Sequence, residues 1–476
     1  MTETATCGDT PAETDRRPEP SLSESLAAFT ADLSLAQVPG QVVQHAKLLL
    51  LDLLGAALAG VGTEESRAIL AASRAFGPAD GACTLWGTMR RTSPAVAALV
   101  NGTIAHAQEL DDFGGADHSG AVVVPTVLAI AQAQRIADGA RVLEAMIAGY
   151  DVALRVLEAA GGYRAHNNHS GWHSTGTCGS FGAAAAAARM LGLDARRTAW
   201  ALGLAGSFTG GTWAYLADGA MSKRYHPGRA AEIGLTAGYL AREGFTGPTR
   251  VLEADWGGFL PTYAGDAACP EAITAGLGSE HRIMKSGIKP YASCRGVHSV
   301  LDVIFGLCAT HALRAADVAS VEIRCNVASL MSLGERDPQT RLAAQMSLPY
   351  GVAVALVTGR ASLAEYEPHR LADSAVREMI GRIRMSVDPA IDENTEPYVT
   401  VITTDGRRLQ GHEPIGLGDP RNPLPEDAIV AKFDDLAPRA LAGGTVERLR
   451  DAVLTLPAPG SLARLLDALG SPRVAD

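Results

Sequence analysis

The sequence predicts a mainly α-helical protein in which both ends of the chain build one large all-helical domain and a smaller α+β unit is inserted between them. Segments rich in Ala, Leu and Val recur at helical spacing through residues 21–268. A β-branched, alternating segment first occurs at 318–327, after the composition changes near residue 270. Helical character then returns, so we place the helical domain at 21–268 and 406–476 and the α+β unit at 269–405.

The helical part begins with a capping box formed by Ser21 and Glu24, which fixes the start of the first helix. Pro39 and Gly40 interrupt the pattern before a mostly apolar helix at 42–58. Connections are short and rich in glycine. Further helices of the same character are predicted at 94–107, 122–138, 141–158, 180–191, 196–206 and 228–243.

The α+β unit combines helices with a few strands. Alternation predicts a strand at 318–327, and the Asp405-Gly406 pair between β-forming residues predicts a hairpin over 397–413. Helical patterns occupy 297–309 and 345–359.

Composition and charge limit the partners. The chain has 476 residues and a formal net charge of −11, which argues against nucleic acid. A locally basic pocket can still bind a small anion, because salt screens surface fields beyond about 8–10 Å.

The seven cysteines include no Cys-x-x-Cys pair, which is typical of a reducing cytoplasm. The apolar run at 48–60 contains Asp52 and is too short to span a bilayer, so we expect no membrane partner. Residues 1–20 are polar and acidic and predict a disordered tail, not a targeting signal.

A loop at 101–125 concentrates ionisable residues at the end of a helix, where a substrate can reach them. Helix capping and turn formation by Asp and Gly is the alternative. His106, Glu109 and His118 could also be metal ligands, although His-x-x-Glu alone is a weak signal. The acidic and histidine residues of interest here are Glu109, Asp111, Asp112, Asp117 and His118.

The segment GWHSTGTCG at 171–179 places His173 among residues with almost no side chain. His173 is a candidate general acid or base, and the small residues leave space for a substrate beside it. A hydrogen-bonded core histidine next to N-cap residues is the alternative interpretation.

Two groups of cations occur in this acidic chain, each before a helix. Partly buried cations require an anion, which here would come from the substrate. The first group precedes a helix predicted to begin at Pro227 and Gly228, and the second precedes the helix at 297–309. Their members are Lys223, Arg224, His226 and Arg229, and Lys285, Lys289, Arg295 and His298.

Nucleotide-binding and serine-hydrolase motifs are absent from the sequence. The cations, His173 and the acidic loop favour an enzyme for a small polyanion, most simply a polycarboxylate. A non-catalytic polyanion-binding protein or a helical assembly module are the alternatives: a binder has no need of His173, and an assembly module needs neither cation group.

Four blocks, in this order, resemble the MmgE/PrpD family: ELDDF…HSGAVVVP, GWHSTGTCGSFGAAAAAARMLGLD, SKRYHPGRAAEIGLTAGYLAREGFTGP and IKPYASCRGVH. This family contains 2-methylcitrate dehydratases, cis-aconitate decarboxylases and an iminodisuccinate epimerase, and the resemblance covers roughly residues 22–470. It implies an all-helical domain with an α+β lid domain, a homodimer, and an enzyme that requires no metal or organic cofactor.

The resemblance also assigns residues. His173, Lys223 and Lys289 match a histidine and two lysines of the family blocks, and His118, or alternatively Asp117, matches a further histidine. Glu109, Asp111 and Asp112 stand where the family has an acidic cluster.

Two features favour decarboxylation over dehydration. The fungal decarboxylases resemble this chain in ELDD, GWH and Y-A-x-C, whereas the dehydratases have a longer segment where this chain has GGADHSGAV. This chain differs from the animal decarboxylases at Cys294, where they have a histidine. We therefore predict a cytoplasmic, cofactor-independent lyase for a small di- or tricarboxylate such as cis-aconitate. Its predicted catalytic residues are His173, Lys223, His118, Asp112 and Glu109, and its predicted substrate-binding residues are Lys289, Arg224, Asp111, His226 and Arg295.

Overall fold

Helices make up most of the chain in the computed structural model, which describes residues 19–77 and 80–472. The mainly α fold class is thereby confirmed. Of the tail predicted at 1–20, residues 1–18 lie outside the described residues. The helices before residue 268 are α1 (Leu22–Asp32), α2 (Gly40–Gly60), α3 (Glu64–Ala72), α4 (Pro94–Ala105), α5 (Ser119–Ala133), α6 (Gly139–Ala159), α7 (Ser174–Thr177), α8 (Gly179–Leu191), α9 (Ala195–Gly206), α10 (Ser222–Arg242) and α11 (Phe259–Tyr263).

Small residues allow these helices to cross at short distances. The six alanines at 183–188 in α8 are all buried, and Gly182 faces Gly149 of α6 so closely that a Cβ on Gly182 would lie 2.5 Å from the Gly149 carbonyl oxygen. A Cβ on Gly228 of α10 would lie 2.1 Å from the Leu99 carbonyl oxygen of α4. The high Gly and Ala content therefore follows from backbone-to-backbone packing.

Two short antiparallel ladders connect loops of the helical part. The first joins β1 (Cys83–Thr84) to β2 (Arg91–Thr92). The second joins β3 (Phe113–Gly114) to β4 (Ser286–Gly287), with Phe113 paired to Gly287.

The α+β unit has its own apolar core, built around one four-stranded sheet. The strand order is β6-β5-β7-β8, and β8 continues the sheet beyond residue 405, where we placed the end of this unit. The predicted strand and hairpin both form, and the hairpin pairs Tyr398 with His412. The sequence analysis missed β6, which lies parallel to β5. The elements are α12 (Arg295–His311), β5 (Val318–Cys325), α13 (Val327–Leu333), α14 (Arg341–Gln345), α15 (Leu348–Thr358), α16 (Pro368–Leu371), α17 (Ser374–Gly381), β6 (Ile383–Val387), β7 (Tyr398–Thr403) and β8 (Arg408–His412).

The chain returns to the N-terminal core through α18 (Glu426–Leu436), α19 (Gly443–Leu454) and α20 (Ser461–Leu469). Phe433 of α18 packs on Gly55 of α2, and the Lys432 amine lies 2.6 Å from the buried Asp52 carboxylate. At 21 residues α2 is long and apolar enough to cross a membrane, contrary to our estimate from the run at 48–60. However, 72% of its apolar window is buried inside the protein, as in a core helix.

One predicted boundary was wrong in a way that matters for the site. Helix α10 begins at Ser222, not at Pro227 and Gly228. Pro227 lies inside this helix, where proline removes one backbone hydrogen bond without ending the helix. Lys223 and Arg224 therefore lie in the first turn of α10, which fixes both side chains on a rigid element.

Candidate active site

The β3–β4 ladder brings two of the predicted stretches together. β3 follows the acidic loop, and β4 leads directly into the segment that carries Lys289. Gly287 has to be glycine, because a Cβ there would lie 2.4 Å from the Gly418 carbonyl oxygen and 2.6 Å from the Phe113 ring. As a result, the Lys289 amine lies 3.0 Å from the main-chain oxygen of Glu109.

Three buried cations converge on the carboxylate of Glu109. The Lys223 amine donates to both oxygens at 2.6 Å, and the Lys289 amine donates to Oε1 at 3.1 Å. Arg224 donates to Oε2 through Nη1 and to the Gln345 side-chain oxygen at 3.2 Å through Nη2. All four charged side chains are at least 97% buried. The two predicted cation groups and the acidic loop thus form one cluster, which we call the cation cluster (Glu109, Lys223, Arg224 and Lys289).

The charged groups of the cation cluster shift one another's pKa values. Burial alone would raise the pKa of the Glu109 carboxyl, but Lys223, Lys289 and Arg224 outweigh it and hold that pKa well below its usual range. Burial lowers the pKa of Lys223, opposed in part by Glu109. For Lys289, burial is outweighed by Glu109 and Asp111, and its pKa is raised. Glu109 is therefore an anion among cations, with positive charge in excess.

Asp111 joins two histidines next to the cation cluster. Its carboxylate lies 2.9 Å from His106 Nδ1 and 3.0 Å from His118 Nδ1, and all three residues are buried. The two imidazole rings lie 4.0 Å apart. Burial would raise the pKa of Asp111, but the two histidines outweigh it and keep the pKa well below its usual range. His118 Nε2 points towards the cation cluster, 3.7 Å from Glu109 Oε1.

Asp117 connects His118 to His173. Its two carboxylate oxygens lie 3.5 Å from His118 Nε2 and 3.1 Å from His173 Nε2. Burial would raise the pKa of Asp117, but His118 and His173 outweigh it and lower that pKa. The other nitrogen of His173, Nδ1, lies 2.8 Å from Nδ1 of His226. His173 is fully buried, and burial is the main cause that lowers its pKa.

Both acids that face these groups adopt the left-handed backbone region, which is unusual for residues other than glycine. The φ angle is 55° at Glu109 and 74° at Asp117. Such conformations cost on the order of 1–3 kcal/mol and are concentrated at functional sites.

The small residues around His173 have a different role from the one we expected. A Cβ on Gly176 would lie 2.3 Å from the Gly210 carbonyl oxygen, so the backbone of another segment fills that space. The rings of Trp213 and Tyr215 lie 5.5 and 5.7 Å from the His173 ring, both edge-on. Gly176 therefore permits the close approach of the backbone at Gly210.

Two predicted residues lie apart from the cation cluster. The Asp112 carboxylate accepts from Gly120 N–H at 3.0 Å at the start of α5, and burial, Asp111 and Asp52 raise its pKa well above the usual range. Arg295, at the start of α12, pairs with Glu396 at 2.8 Å. The structure supports a packing role for both residues, and no contact joins Arg295 to the cation cluster within the described residues.

Several contacts of the site were not predicted. Gln345, in the α+β unit, donates to the main-chain oxygens of Gln108 and Ala292 at 2.7 and 3.0 Å while its side-chain oxygen accepts from Arg224. No sequence pattern near residue 345 indicates this role. The His106–Asp111 pair had a local signal, because both residues lie in the acidic loop, but we had considered His106 only as a metal ligand.

Two groups of side chains bring potential metal-ligating atoms within 4.8 Å of one another: His106, Asp111 and His118, and Asp117, His118 and His173. In each group the carboxylate lies within 3.1 Å of a histidine nitrogen, at hydrogen-bond distance. We describe both groups as His–Asp pairs.

The arrangement has the parts needed to react with a carboxylate substrate. Excess buried cations stabilise negative charge that develops on a substrate, and two histidines at the border of the cation cluster can donate or accept a proton. Of the predicted residues, Glu109, Lys223, Arg224 and Lys289 meet directly, and His118 borders them. His173 is linked to His118 through Asp117.

Proteins of one family resemble this chain over most of its length. A family model described as the MmgE/PrpD N-terminal domain matches residues 24–270, and one described as the MmgE/PrpD C-terminal domain matches residues 291–457. A cis-aconitate decarboxylase-like protein of Aspergillus oryzae is 30% identical over 95% of this chain and 98% of its own length. Cis-aconitate decarboxylases of Aspergillus terreus and Homo sapiens are 28% and 27% identical, over 96% and 92% of this chain and 98% and 92% of their own lengths.

Proposed function

Since the chain belongs to the MmgE/PrpD family and is a lyase of that family, we propose that it decarboxylates cis-aconitate or a closely similar polycarboxylate without a cofactor. The observation that carries the proposal is the cation cluster, in which three buried cations share a single carboxylate. The names of the relatives support decarboxylation in particular.

In the proposed reaction, Lys223, Arg224 and Lys289 bind substrate carboxylates. Loss of CO₂ breaks a carbon–carbon bond and leaves its electron pair on the substrate carbon, delocalised into a neighbouring carboxylate. The fixed cations stabilise this charge as it develops, where stabilisation accelerates the reaction most. His173 or His118 then donates a proton to that carbon, a contribution typically worth about 10²–10⁴-fold.

The residue assignment is tested by single substitutions with matched controls. We expect His173→Ala and Lys223→Ala each to lower kcat by about a hundredfold or more, because proton transfer or charge stabilisation is removed. His169→Ala and Lys285→Ala are controls, since both side chains are more than half exposed and lie outside the cation cluster. Full activity in a folded His173→Ala or Lys223→Ala protein would contradict the assignment.

The reaction itself is tested by incubation with cis-aconitate, 2-methylcitrate and iminodisuccinate in D₂O, followed by NMR. Release of CO₂ with deuterium at carbon indicates decarboxylation. Loss of water indicates a dehydratase, and exchange with inversion indicates an epimerase. No change in any of the three would favour a non-catalytic polyanion-binding protein.

We further propose that the protein is a cytoplasmic homodimer and needs no metal. The homodimer and the absence of a required metal are what the family resemblance implies. Light scattering would detect a dimer, and dialysis against EDTA should leave kcat unchanged. A monomer, or activity that returns only with added metal, would contradict the respective part.

A further inference from the structure

His173 and His226 form a contact that constrains where protons can be. Their Nδ1 atoms lie 2.8 Å apart, which is a hydrogen-bond distance. A nitrogen of a neutral imidazole either donates or accepts, so one of these two atoms carries hydrogen and the other accepts it. The proton can therefore sit on only one side of this pair at a time.

The other nitrogen of His173 decides between the two arrangements in the charged state. Nε2 lies 3.1 Å from the Asp117 carboxylate, which only accepts. When His173 is an imidazolium, both of its N–H groups find acceptors: Nε2–H donates to Asp117 and Nδ1–H donates to His226. His226 then keeps its own hydrogen on Nε2.

The position of His226 is fixed by its surroundings. It lies on α10, three residues after Lys223, and its ring packs against Gly211, where a Cβ would lie 3.4 Å from Nδ1. The Tyr215 ring lies 5.9 Å away on another side. A rigid helix therefore holds the acceptor nitrogen opposite His173.

We propose that His226 is a positioning residue: a neutral imidazole whose Nδ1 accepts the Nδ1–H of His173, so that His173 exchanges protons with substrate only through Nε2. This inference rests on the proposed decarboxylation and names the group that orients its proton donor. It differs from the substrate-binding role that we predicted for His226 from the sequence.

An uncharged His226 is suited to orienting His173. Burial, His173 and Lys223 lower the pKa of His226 to about 3, so it stays uncharged near neutral pH. A second carboxylate, at the place of His226, would raise the pKa of His173 further, whereas a neutral acceptor makes the Nε2 proton easier to transfer to carbon. The ionisable groups that face the pair are Asp117, His118, His166, Tyr215 and Lys223.

The number of protons gained and lost by His173 in one reaction cycle is balanced. When the bond to CO₂ breaks, the electron pair on the substrate carbon takes the Nε2 proton of the His173 imidazolium. His173 is left neutral with its remaining hydrogen on Nδ1, still donated to His226. After product leaves, Nε2 takes up one proton from solvent, which matches the single proton that decarboxylation consumes.

Three substitutions at residue 226 separate positioning from substrate binding. His226→Leu removes the acceptor and should lower kcat about ten- to a hundredfold with little change in KM. His226→Asn keeps a neutral acceptor and should restore part of that loss. His226→Asp supplies a charged acceptor and should shift the alkaline limb of the kcat profile upwards by about one pH unit or more, because it stabilises the imidazolium. His169→Leu, at a histidine that is more than half exposed, is the control.

A second measurement does not depend on substrate. In protein labelled with ¹⁵N-histidine, NMR at a pH where His173 is an imidazolium should show hydrogen on both of its nitrogens and on Nε2 alone of His226, and His226→Leu should shift the His173 Nδ1 resonance because its hydrogen bond is lost. Hydrogen on Nδ1 of His226 in that state, an unchanged pH profile in His226→Asp, or an effect on KM alone would overturn the proposal. If wild-type protein releases no CO₂, the proposed function fails, and the NMR result still decides whether His226 positions His173.

Discussion

The carboxylate of Glu109 is the shared partner of three buried cations, and each member of this group depends on the others. A single buried charge without a partner is costly, and removing one partner of a buried pair typically destabilises a protein by about 3–5 kcal/mol. Glu109 therefore stabilises the three cations that surround it.

We expect Glu109→Gln to lower the free energy of unfolding by about 3–5 kcal/mol at neutral pH, since three cations would lose their counter-charge. The pKa of Glu109 is depressed in the folded protein, so its contribution is complete above its unfolded pKa of about 4.3 and is lost as pH falls towards the folded value. Urea unfolding at several pH values should thus show the two proteins converging in acid. A difference that grows as the pH falls would contradict this explanation.

The adjacent residues Asp111 and Asp112 should differ strongly in how much stability and activity they lose when each is replaced by asparagine. Asp111→Asn breaks the contacts with His106 and His118 and should cost about 3 kcal/mol or more, with a large loss of kcat. Burial raises the pKa of Asp112 well above its usual range and so favours the neutral carboxyl, and we expect Asp112→Asn to change stability by less than about 1 kcal/mol and to leave kcat within a few-fold. Thermal unfolding and steady-state kinetics of both variants check this, and equal losses would refute it.

At the scale of residues, candidate site residues could be predicted where the residue types around them in the sequence are unusual. Lys223, Arg224 and Lys289 are cations in an acidic chain, and all three reach the same carboxylate. Arg295 has the same local character, yet it pairs with Glu396, about a hundred residues further along the chain. Local sequence does not encode which distant carboxylate a cation meets.

At the scale of elements, close helix crossings set the positions of the site residues. α10 carries Lys223 and Arg224, and α4 leads into the loop with Glu109; the two helices meet where Gly228 contacts the Leu99 carbonyl oxygen. Helical periodicity predicted both helices, but not their crossing. Periodicity likewise missed β6, since its parallel pairing with β5 joins segments far apart in sequence.

Gly228→Ala should therefore separate α10 from α4. The added Cβ would lie 2.1 Å from a backbone oxygen, so we expect a loss of about 1–3 kcal/mol in stability and a lower kcat as the cations shift. Gly306→Ala in α12 is the matched control, because nothing lies within 4 Å of its Cβ and alanine favours helix by up to about 1 kcal/mol. Chemical unfolding and kinetics measure both effects; wild-type values for Gly228→Ala would contradict the packing argument.

At the scale of the whole molecule, a C-terminal helix contacts the segments that carry the site residues. The Lys432 amine on α18 pairs with Asp52 on α2 and also donates to the main-chain oxygens of Leu110 and Lys289, each at 2.9 Å. One side chain thus holds the N-terminal core, the acidic loop and the Lys289 segment together. The return of the chain to its first helices was predictable from composition, whereas this contact was not.

Lys432→Met should destabilise the protein by about 3–5 kcal/mol, because Asp52 would remain buried without its partner. Adding Asp52→Asn should recover part of that loss, since the uncompensated charge is removed. Lys47→Met is a control, because the Lys47 amine donates to the Leu454 carbonyl oxygen at 3.0 Å and forms no ion pair within the part of the chain that the structure describes. Unfolding free energies of the single and double variants test the coupling, and simple additivity would refute it.

Any incoming carboxylate has to compete with one that is permanently attached to the chain. A tethered group acts at an effective concentration in the millimolar range or above. A monocarboxylate exchanges contacts with Glu109 one for one and gains nothing. A di- or tricarboxylate makes its second contact intramolecularly once the first has formed, and so displaces the tethered group through multivalency. If the proposed function holds, Glu109 thereby favours anions of higher valence before any chemical step takes place.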